Sequence, residues 1–356
     1  MSLAVTLGQF GVPYQLYERN QHLSYEDVCL GLSANTFPIL RSWDIFDEAA
    51  AIGTYIKDFH FVNKHFKYLK SFKMKAPALS VRRKELYAIL QQKLIDADVH
   101  LGSAKSHDDF QTSDIVVSAD GIHSRTRKAW YPSVPLRDSG QLLWRGISKM
   151  KLPPKYQHAY HDLIGNNLRF AIIHTGEDYY SWYLIRQIKE EIVELDSKEA
   201  LLEHFLAEYP EIVREVVIHS NDVFFSRLID IAPRKRKDKP WYKGNHLLIG
   251  DAIHPTTPNM ANGACLSIED GYVLGSLLAK GDALPKTFEL FQKDRERKVN
   301  NIVTQSWLFG KSMHWDSQLM TYLTEKMTQL TPQLMFEKIY SVVLQESKVL
   351  SKNIKE

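Results

Sequence analysis

Two aspartates mark where chemistry concentrates in this chain of 356 residues. The apolar run His246–Ile249 stops at Gly250-Asp251, a backbone position open to close approach followed by a carboxylate that accepts hydrogen bonds from hydroxyls. That pair suits a polyol. Pro255 and Pro258 then stiffen an extended loop, and Ala261-Asn262-Gly263 opens a helix predicted to run to about Leu278. Its free N–H groups and positive dipole end would face whatever lies over the loop, an arrangement suited to an electron-rich ring that becomes anionic during turnover. The same residues also suit an ordinary strand, turn and helix crossover whose Gly and Pro only make the bend.

The second aspartate repeats the pattern. Ile115–Ser118 reads as a buried strand running into Ala119-Asp120-Gly121, with Ser124, Arg125 and Arg127 on a following helix. Doubly wound sheets bind ligands at the carboxyl ends of their strands, so two such ends can bring both carboxylates to one ligand. A third acid, Glu18, closes a strand over Tyr14–Tyr17 beside Arg19, where a nucleotide-binding unit commonly holds a ribose. Arg82 and Arg83 stand at the start of a helix predicted over Ser80–Leu94. Cations are better placed at the other end of a helix, so they are either paired with a phosphate or an acid or simply solvated.

The elements that must position these residues follow an α/β order. Residues 3–10 read as the end of a helix capped by Gly11, and Gly31–Asn35 as a loop into a helix reaching about Ala50. A dinucleotide unit begins with a strand and a G-x-G-x-x-G turn, whereas this chain begins inside the helix that follows them. From Gln141 to Phe225 the pattern turns to β (LLWRGIS, NNLRFAIIH, YYSWYLIRQ, NDVFFSRLI), interrupted by a helix near Lys198–Glu208. Thr287–Lys311 and Gln318–Lys348 are amphipathic helical segments, the latter broken at Pro332, with apolar faces expected to pack on the body. The expected organisation is a Rossmann-like cofactor domain over 1–140 and 229–284 with its first strand absent, an inserted β-rich substrate domain over 141–228, and C-terminal helices over 285–356.

Composition narrows the classes. Lys plus Arg number 45 against 42 acids, a surplus of +3 that is too slight to predict a nucleic-acid partner, and the basic cluster Arg234–Lys239 reads as a solvated loop. No apolar run approaches the roughly 20 residues a spanning helix needs, and the N-terminus lacks a secretion-signal layout, so a soluble cytoplasmic protein is expected. The two cysteines, Cys29 and Cys265, lack CxxC spacing, and the 14 histidines form no HExxH motif; neither pattern predicts a disulfide framework or a metal site.

With these residues in order, the chain resembles, over nearly its whole length, the class A flavoprotein monooxygenases with the p-hydroxybenzoate hydroxylase fold. Asp120-Gly121 with Ser124 and Arg125 looks like the family's DG motif, and Gly250–Pro255 (GDAIHP) looks like its GD motif. Asn259–Asp270 (NMANGACLSIED) is similar to the flavin-loop pattern P-x-x-G-Q-G-x-x-x-x-I-E-D. Trp144-Arg145-Gly146, Gly165–Phe170 and Tyr17-Glu18-Arg19 fit the salicylate-hydroxylase-like branch. The resemblance implies FAD as cofactor, with Glu18, beside Arg19, on the adenosine ribose, Arg83 on the flavin side and Asp251, after Gly250, on the ribityl chain. Asp120-Gly121 would sit near the pyrophosphate and the nicotinamide path, and Pro258, Asn262 and Gly263 would border the isoalloxazine. Arg145 is the candidate for orienting an anionic substrate. The implied reaction has NAD(P)H reduce the flavin; O2 then adds to it, and the resulting hydroperoxide passes one oxygen atom to a small, often aromatic substrate.

Three departures accompany the resemblance. The opening strand and glycine motif would lie upstream of Met1, the span Gly102–Thr112 is short where the family carries a hairpin, and Ala261-Asn262 stands where it has Gly-Gln. Two readings therefore remain besides the working monooxygenase: a degenerate member that no longer holds FAD tightly, and a reductase of the same fold that never hydroxylates.

Overall fold

The computed structural model describes residues 1–22, 26–94, 98–105, 109–111, 114–165, 167–187, 197–233, 240–314 and 317–353. The cluster Arg234–Lys239, Asn166 and parts of Gly102–Thr112 lie outside them. The first half runs α1 (Ser2–Gln9), β1 (Gln15–Glu18), β2 (Cys29–Leu32), α2 (Phe37–Ser42), α3 (Phe46–Ile52), β3 (Thr54–Asn63), β4 (Tyr68–Arg82), α4 (Arg83–Gln92), β5 (Asp98–Leu101), β6 (Val116–Ser118) and α5 (Arg125–Trp130). It continues with β7 (Arg137–Lys149), β8 (Ala159–Gly165), β9 (Leu168–His174), β10 (Tyr179–Gln187), α6 (Lys198–His204), α7 (Glu211–Ile218) and β11 (Phe224–Asp230). The last part holds β12 (Tyr242–Lys243), β13 (His246–Leu248), α8 (Gly263–Leu278), α9 (Leu284–Ser312), α10 (Gln318–Leu330), α11 (Gln333–Ser341) and α12 (Lys348–Asn353).

Three sheets form. β1 pairs parallel with β5; β12, β13 and β6 make a small sheet; and eight strands join in the order β11-β7-β10-β9-β8-β3-β4-β2. The large sheet crosses the expected boundary at residue 140, because β3 runs parallel to β8 with Phe61 opposite Asp162. Three local expectations are corrected here. Gly31-Leu32 belongs to β2, which pairs with β4, and Arg82 ends β4, so the following helix starts at Arg83. The helix expected up to Ala50 is two, because Asp44 takes a left-handed φ of 55° between them. A further helix, α7, adds to the one expected near Lys198–Glu208.

α8 keeps its predicted span, Gly263–Leu278. Nearly all its length is buried: Cys265 and Ile268 pack against Leu32, Ile39 and Leu90, while Leu266 and Leu274 pack against Phe288, Phe291 and Ile302. A helix that is apolar all round belongs in an interior. α1 lies directly against it. A Cβ at Gly271 would stand 2.6 Å from the Leu3 backbone nitrogen, and one at Gly275 would stand 2.6 Å from Thr6 Cγ2, so only glycine permits this approach.

The large sheet separates its two faces by the alternation of strands. One face presents Trp144, Phe170 and Trp182 to Leu201, Val213 and Val217 of α6 and α7. On the other, Arg145 opposes Tyr183, Tyr183 opposes Ala171, and Ala171 opposes Asp162.

Candidate active site

The two aspartates lie at neighbouring strand ends. β13 and β6 run parallel with Leu248 opposite Ser118, and the Ile249 amide donates to the Ser118 carbonyl at 3.1 Å. Asp120 follows two residues after that pairing and Asp251 three. Arg127 ties the loops together: its guanidinium donates to the carbonyls of Asp251 at 3.1 Å and Ala252 at 2.8 Å, and also to that of Ile122. Burial lowers the Arg127 pKa, against the opposing charges of Asp120 and Asp251, which places both carboxylates in its field. Arg127 reaches this position because Ser124 caps α5, accepting from the Arg127 amide at 3.1 Å. Asp120 itself accepts from the Arg125 amide at 3.0 Å.

Asp251 has the character of a cleft floor. It keeps exposed surface, yet protein surrounds its carboxylate closely enough that burial pushes the pKa up against the pull of His254, Arg127 and Arg83. Its carboxylate makes no side-chain hydrogen bond among the described residues. Gly250 before it has φ +57°, and its amide donates to Asp270 Oδ2 at 2.9 Å. That bond opens onto a buried ionic network which the sequence reading missed. Asp270 meets His254 Nε2 at 2.6 Å and Arg295 Nε at 2.8 Å, while Glu269 binds Arg295, Lys298 Nζ at 2.5 Å and Asn35. Burial would raise the Asp270 pKa, but His254 and Arg295 outweigh it and hold the group well below the carboxylate range. Glu269-Asp270 thus anchors the aspartate loop to α9 and to the segment after β2. In the sequence these residues stood as two adjacent acids in an apolar helix and as the close of the flavin-loop pattern, with nothing to name Arg295 or Lys298 as partners.

The loop before α8 is bound on both sides. Pro258, itself exposed, opens a 3-10 turn whose Asn259 is buried, Ser306 of α9 donates its hydroxyl to the Thr257 carbonyl at 2.5 Å, and Asn262 Nδ2 donates to Ser33 Oγ at 3.3 Å. Ala261 holds a left-handed φ of 48°, the conformation its glycine-favouring position demands. No side chain caps the helix at Gly263, and Asn262 Oδ1 is buried without a partner. An uncapped helix N-terminus, an orphan acceptor and a carboxylate on a cleft floor fit a ring with hydrogen-bonding edges and a polyol tail, so the residues present fit a flavin.

The remaining predicted residues fall into two groups. Arg83 lies close enough to Asp251 and Arg145 to shift both, and its guanidinium stands 5.2 Å from the Tyr87 ring. Arg145 is half-buried and ion-paired to Glu26 at 2.7 Å; burial lowers its pKa, opposed by Glu26 and reinforced by Arg83. Glu18 and Arg19 end β1 in the separate two-stranded sheet, where the Glu18 carboxylate accepts from the Asn20 amide at 2.9 Å. Among the described residues no contact joins them to Asp120 or Asp251.

Another polar group went unpredicted. On the sheet face beside Arg145, Arg169 forms a fork to Asp162, Nε–Oδ1 2.8 Å and Nη2–Oδ2 2.6 Å, with both residues buried. The Tyr160 and Tyr183 hydroxyls bond to each other in front of it, and Phe59 stacks on Tyr160 at 4.5 Å. Burial pushes both phenol pKa values up, so both remain protonated donors at neutral pH. One turn of α9 links this group to the loop: Ser306 bonds Thr257, and Phe309 lies 4.7 Å from the Arg169 guanidinium.

Known proteins share sequence and fold with this chain. The profile of the FAD binding domain family matches residues 62–306. An aurachin C monooxygenase/isomerase of Stigmatella aurantiaca is 24% identical over 93% of this chain and 91% of its own. The 2-heptyl-3-hydroxy-4(1H)-quinolone synthase of Pseudomonas aeruginosa is 26% identical over 71% of this chain and 70% of its own. Among solved structures, Klebsiella pneumoniae HpxO complexed with FAD and uric acid superposes with a TM-score of 0.83 at 18% identity, covering 96% of this chain and 93% of that one. The family match takes in well over half of the sequence, and the chain belongs to the FAD binding domain family of flavoprotein monooxygenases, with FAD as its cofactor.

Proposed function

We propose that this protein uses NAD(P)H and O2 to insert one oxygen atom into a small planar aromatic substrate held against the Tyr160–Tyr183 face of the large sheet. The observation that carries this reading is the meeting of two halves. Asp120 and Asp251 share one strand edge beside the uncapped start of α8, and one turn of α9 separates the α8 loop from a polar, aromatic-walled sheet face. FAD, when bound, would take two electrons from NAD(P)H and pass them to O2, chemistry that no side chain here offers.

The chain's own residues bind and orient. Asp251 accepts hydrogen bonds from the ribityl hydroxyls, and the N–H groups at Gly263 stabilise negative charge placed against them. Arg127 and the Glu269-Asp270 network hold the two loops in register. Tyr160 and Tyr183 are half-buried and protonated; one hydroxyl donates to the other, which leaves one O–H of the pair to donate to a substrate oxygen, with the fixed charge of Arg169 behind them. Phe59 and Phe309 wall the space with rings and exclude water. The names of two relatives carry aurachin and a 4-quinolone, which favours fused aromatic rings as assay substrates.

The test is purified protein supplied with FAD, NADH or NADPH, and a panel of 4-quinolones, hydroxybenzoates and purines. The expected result is a bound-flavin spectrum, substrate-stimulated oxygen uptake, and one atom of labelled O2 in the product. Protein that takes up no FAD supports the degenerate reading. NAD(P)H oxidation without label in any product supports the reductase.

A further inference from the structure

Helix α10 is inside out. Its inward side is threonine: Thr321 lies against Gly165 of β8, and the Thr324 and Thr328 hydroxyls donate to backbone carbonyls one turn earlier at 2.9 and 2.8 Å. Its outward side is Leu319, Tyr322, Leu323, Met327 and Leu330, spaced as one helical face, with Met327 71% and Leu330 78% exposed. The surface continues across the Thr331-Pro332 joint. α11 anchors itself through Phe336, stacked on Phe72 at 4.3 Å, and leaves Leu334, Met335 and Ile339 outside. A contiguous apolar surface of this kind marks an interaction site.

The neighbouring charge says what covers it. α10 packs on β4, where Lys70 Nζ donates to the Gln329 carbonyl at 3.5 Å and Lys75 pairs with Glu337 of α11 at 2.8 Å. The β3–β4 hairpin that lies alongside, residues 54–75, carries Lys57, Lys64, Lys67, Lys70, Lys73 and Lys75 against the single acid Asp58. The whole chain is only +3, so everything outside this hairpin is net negative. An exposed apolar helix face beside a polybasic strip is the combination that binds anionic bilayers by area and charge together. A further copy seated on the same face would bring two lysine-rich hairpins together across a two-fold axis. No helix among the described residues is long and apolar enough to cross a membrane.

We propose that the outward face of α10–α11, with the β3–β4 lysines, docks this protein on the surface of an anionic lipid bilayer, lying on it rather than spanning it. This holds whatever substrate the flavin site oxidises. The test is sedimentation of the FAD-loaded protein with vesicles of phosphatidylcholine alone and of phosphatidylcholine with phosphatidylglycerol. Partition is expected to be at least tenfold stronger on the anionic vesicles and to weaken with salt. It should fall at least tenfold in Leu323→Gln/Met327→Gln/Leu330→Gln and in Lys67→Glu/Lys73→Glu, with circular dichroism and flavin content unchanged. All five side chains are exposed, so folding does not depend on them. Failure to bind anionic vesicles at low salt overturns the proposal, as does equal binding by both variants. So does light scattering that shows a dimer dissociated by the apolar variant, which assigns the face to another copy of the chain.

Discussion

The two faces of the large sheet are built from the same strands, one residue apart, and have opposite contents. Trp144 adjoins Arg145, Phe170 adjoins Arg169 and Trp182 adjoins Tyr183. Trp144, Phe170 and Trp182 pack against α6 and α7, whereas Arg145, Arg169 and Tyr183 share the opposite face, where Arg145 pairs with Glu26 and Arg169 meets Phe309 of α9. The alternation places a rigid apolar wall directly behind each polar side chain, so the proposed substrate face takes its rigidity from the apolar one.

The largest effect should come from breaking the polar face. Arg169→Met leaves the Asp162 charge buried and unpaired and is expected to cost about 3–5 kcal/mol in urea unfolding. The double variant Arg169→Met/Asp162→Leu should recover most of that loss, because an apolar pair of similar volume needs no partner. If the double variant is stable yet cannot couple NAD(P)H oxidation to oxygen insertion, the charges are retained for the substrate. If it is stable and fully active, the contrast between the faces is only structural.

Acid should affect both faces alike. His314, near Arg169, and His161, on the apolar side against Tyr156 and Phe66, are buried so that their pKa values fall to about 4 and about 3. Below an unfolded value of about 6.5 the unfolded chain takes up protons that the folded chain refuses, so stability falls as pH falls from about 6.5. Each histidine should remove about 2 kcal/mol between pH 7 and pH 5. His314→Gln and His161→Gln should each flatten that slope by this amount in paired urea titrations at the two pH values. A flat slope in the wild-type chain would contradict burial of the neutral rings.

A smaller loss distinguishes the apolar face. Phe170→Leu shortens a fully buried side chain and is expected to cost about 1–2 kcal/mol. Turnover per folded molecule should stay unchanged, since the side chain points away from the site. A drop in coupling without further loss of stability would show that the wall behind Arg169 also sets its position.

What the sequence made legible follows the same division. The strand ends at Asp120 and Asp251 and the span of α8 could be read from local pattern, because an apolar run that gives way to adjacent Gly and Asp marks where a strand stops, whatever the turn is used for. The Arg169–Asp162 fork and the Tyr160–Tyr183 pair could not: the fork spans only the turn between two consecutive strands, yet which sheet face becomes polar depends on the strands and helices that pack around them. Phe61 meets Asp162 across a hundred residues, and Asn35 meets Glu269 across more than two hundred. Gly31-Leu32 resembled a loop because nothing nearby says that β4 will pair with it.

The smallest effect belongs to the loop that closes the polar face from the flavin side. Ala261 sits at φ +48° and ψ +35°, where an L-residue with a Cβ costs roughly 1–2 kcal/mol, and it is exposed, so no packing is lost by trimming it. Ala261→Gly relieves that cost but gives the unfolded chain more freedom, worth about 0.4–1 kcal/mol in the other direction. The net expectation is a gain of no more than about 1 kcal/mol, visible as a small rise in Tm. The loop is stapled at Thr257 and Asn262 on either side of the substitution, so the left-handed turn should persist and FAD affinity should change less than twofold. A fall in Tm would mean that the turn carries no strain at Ala261. A large loss of FAD affinity would mean that the alanine methyl itself limits the loop to the conformation the flavin needs.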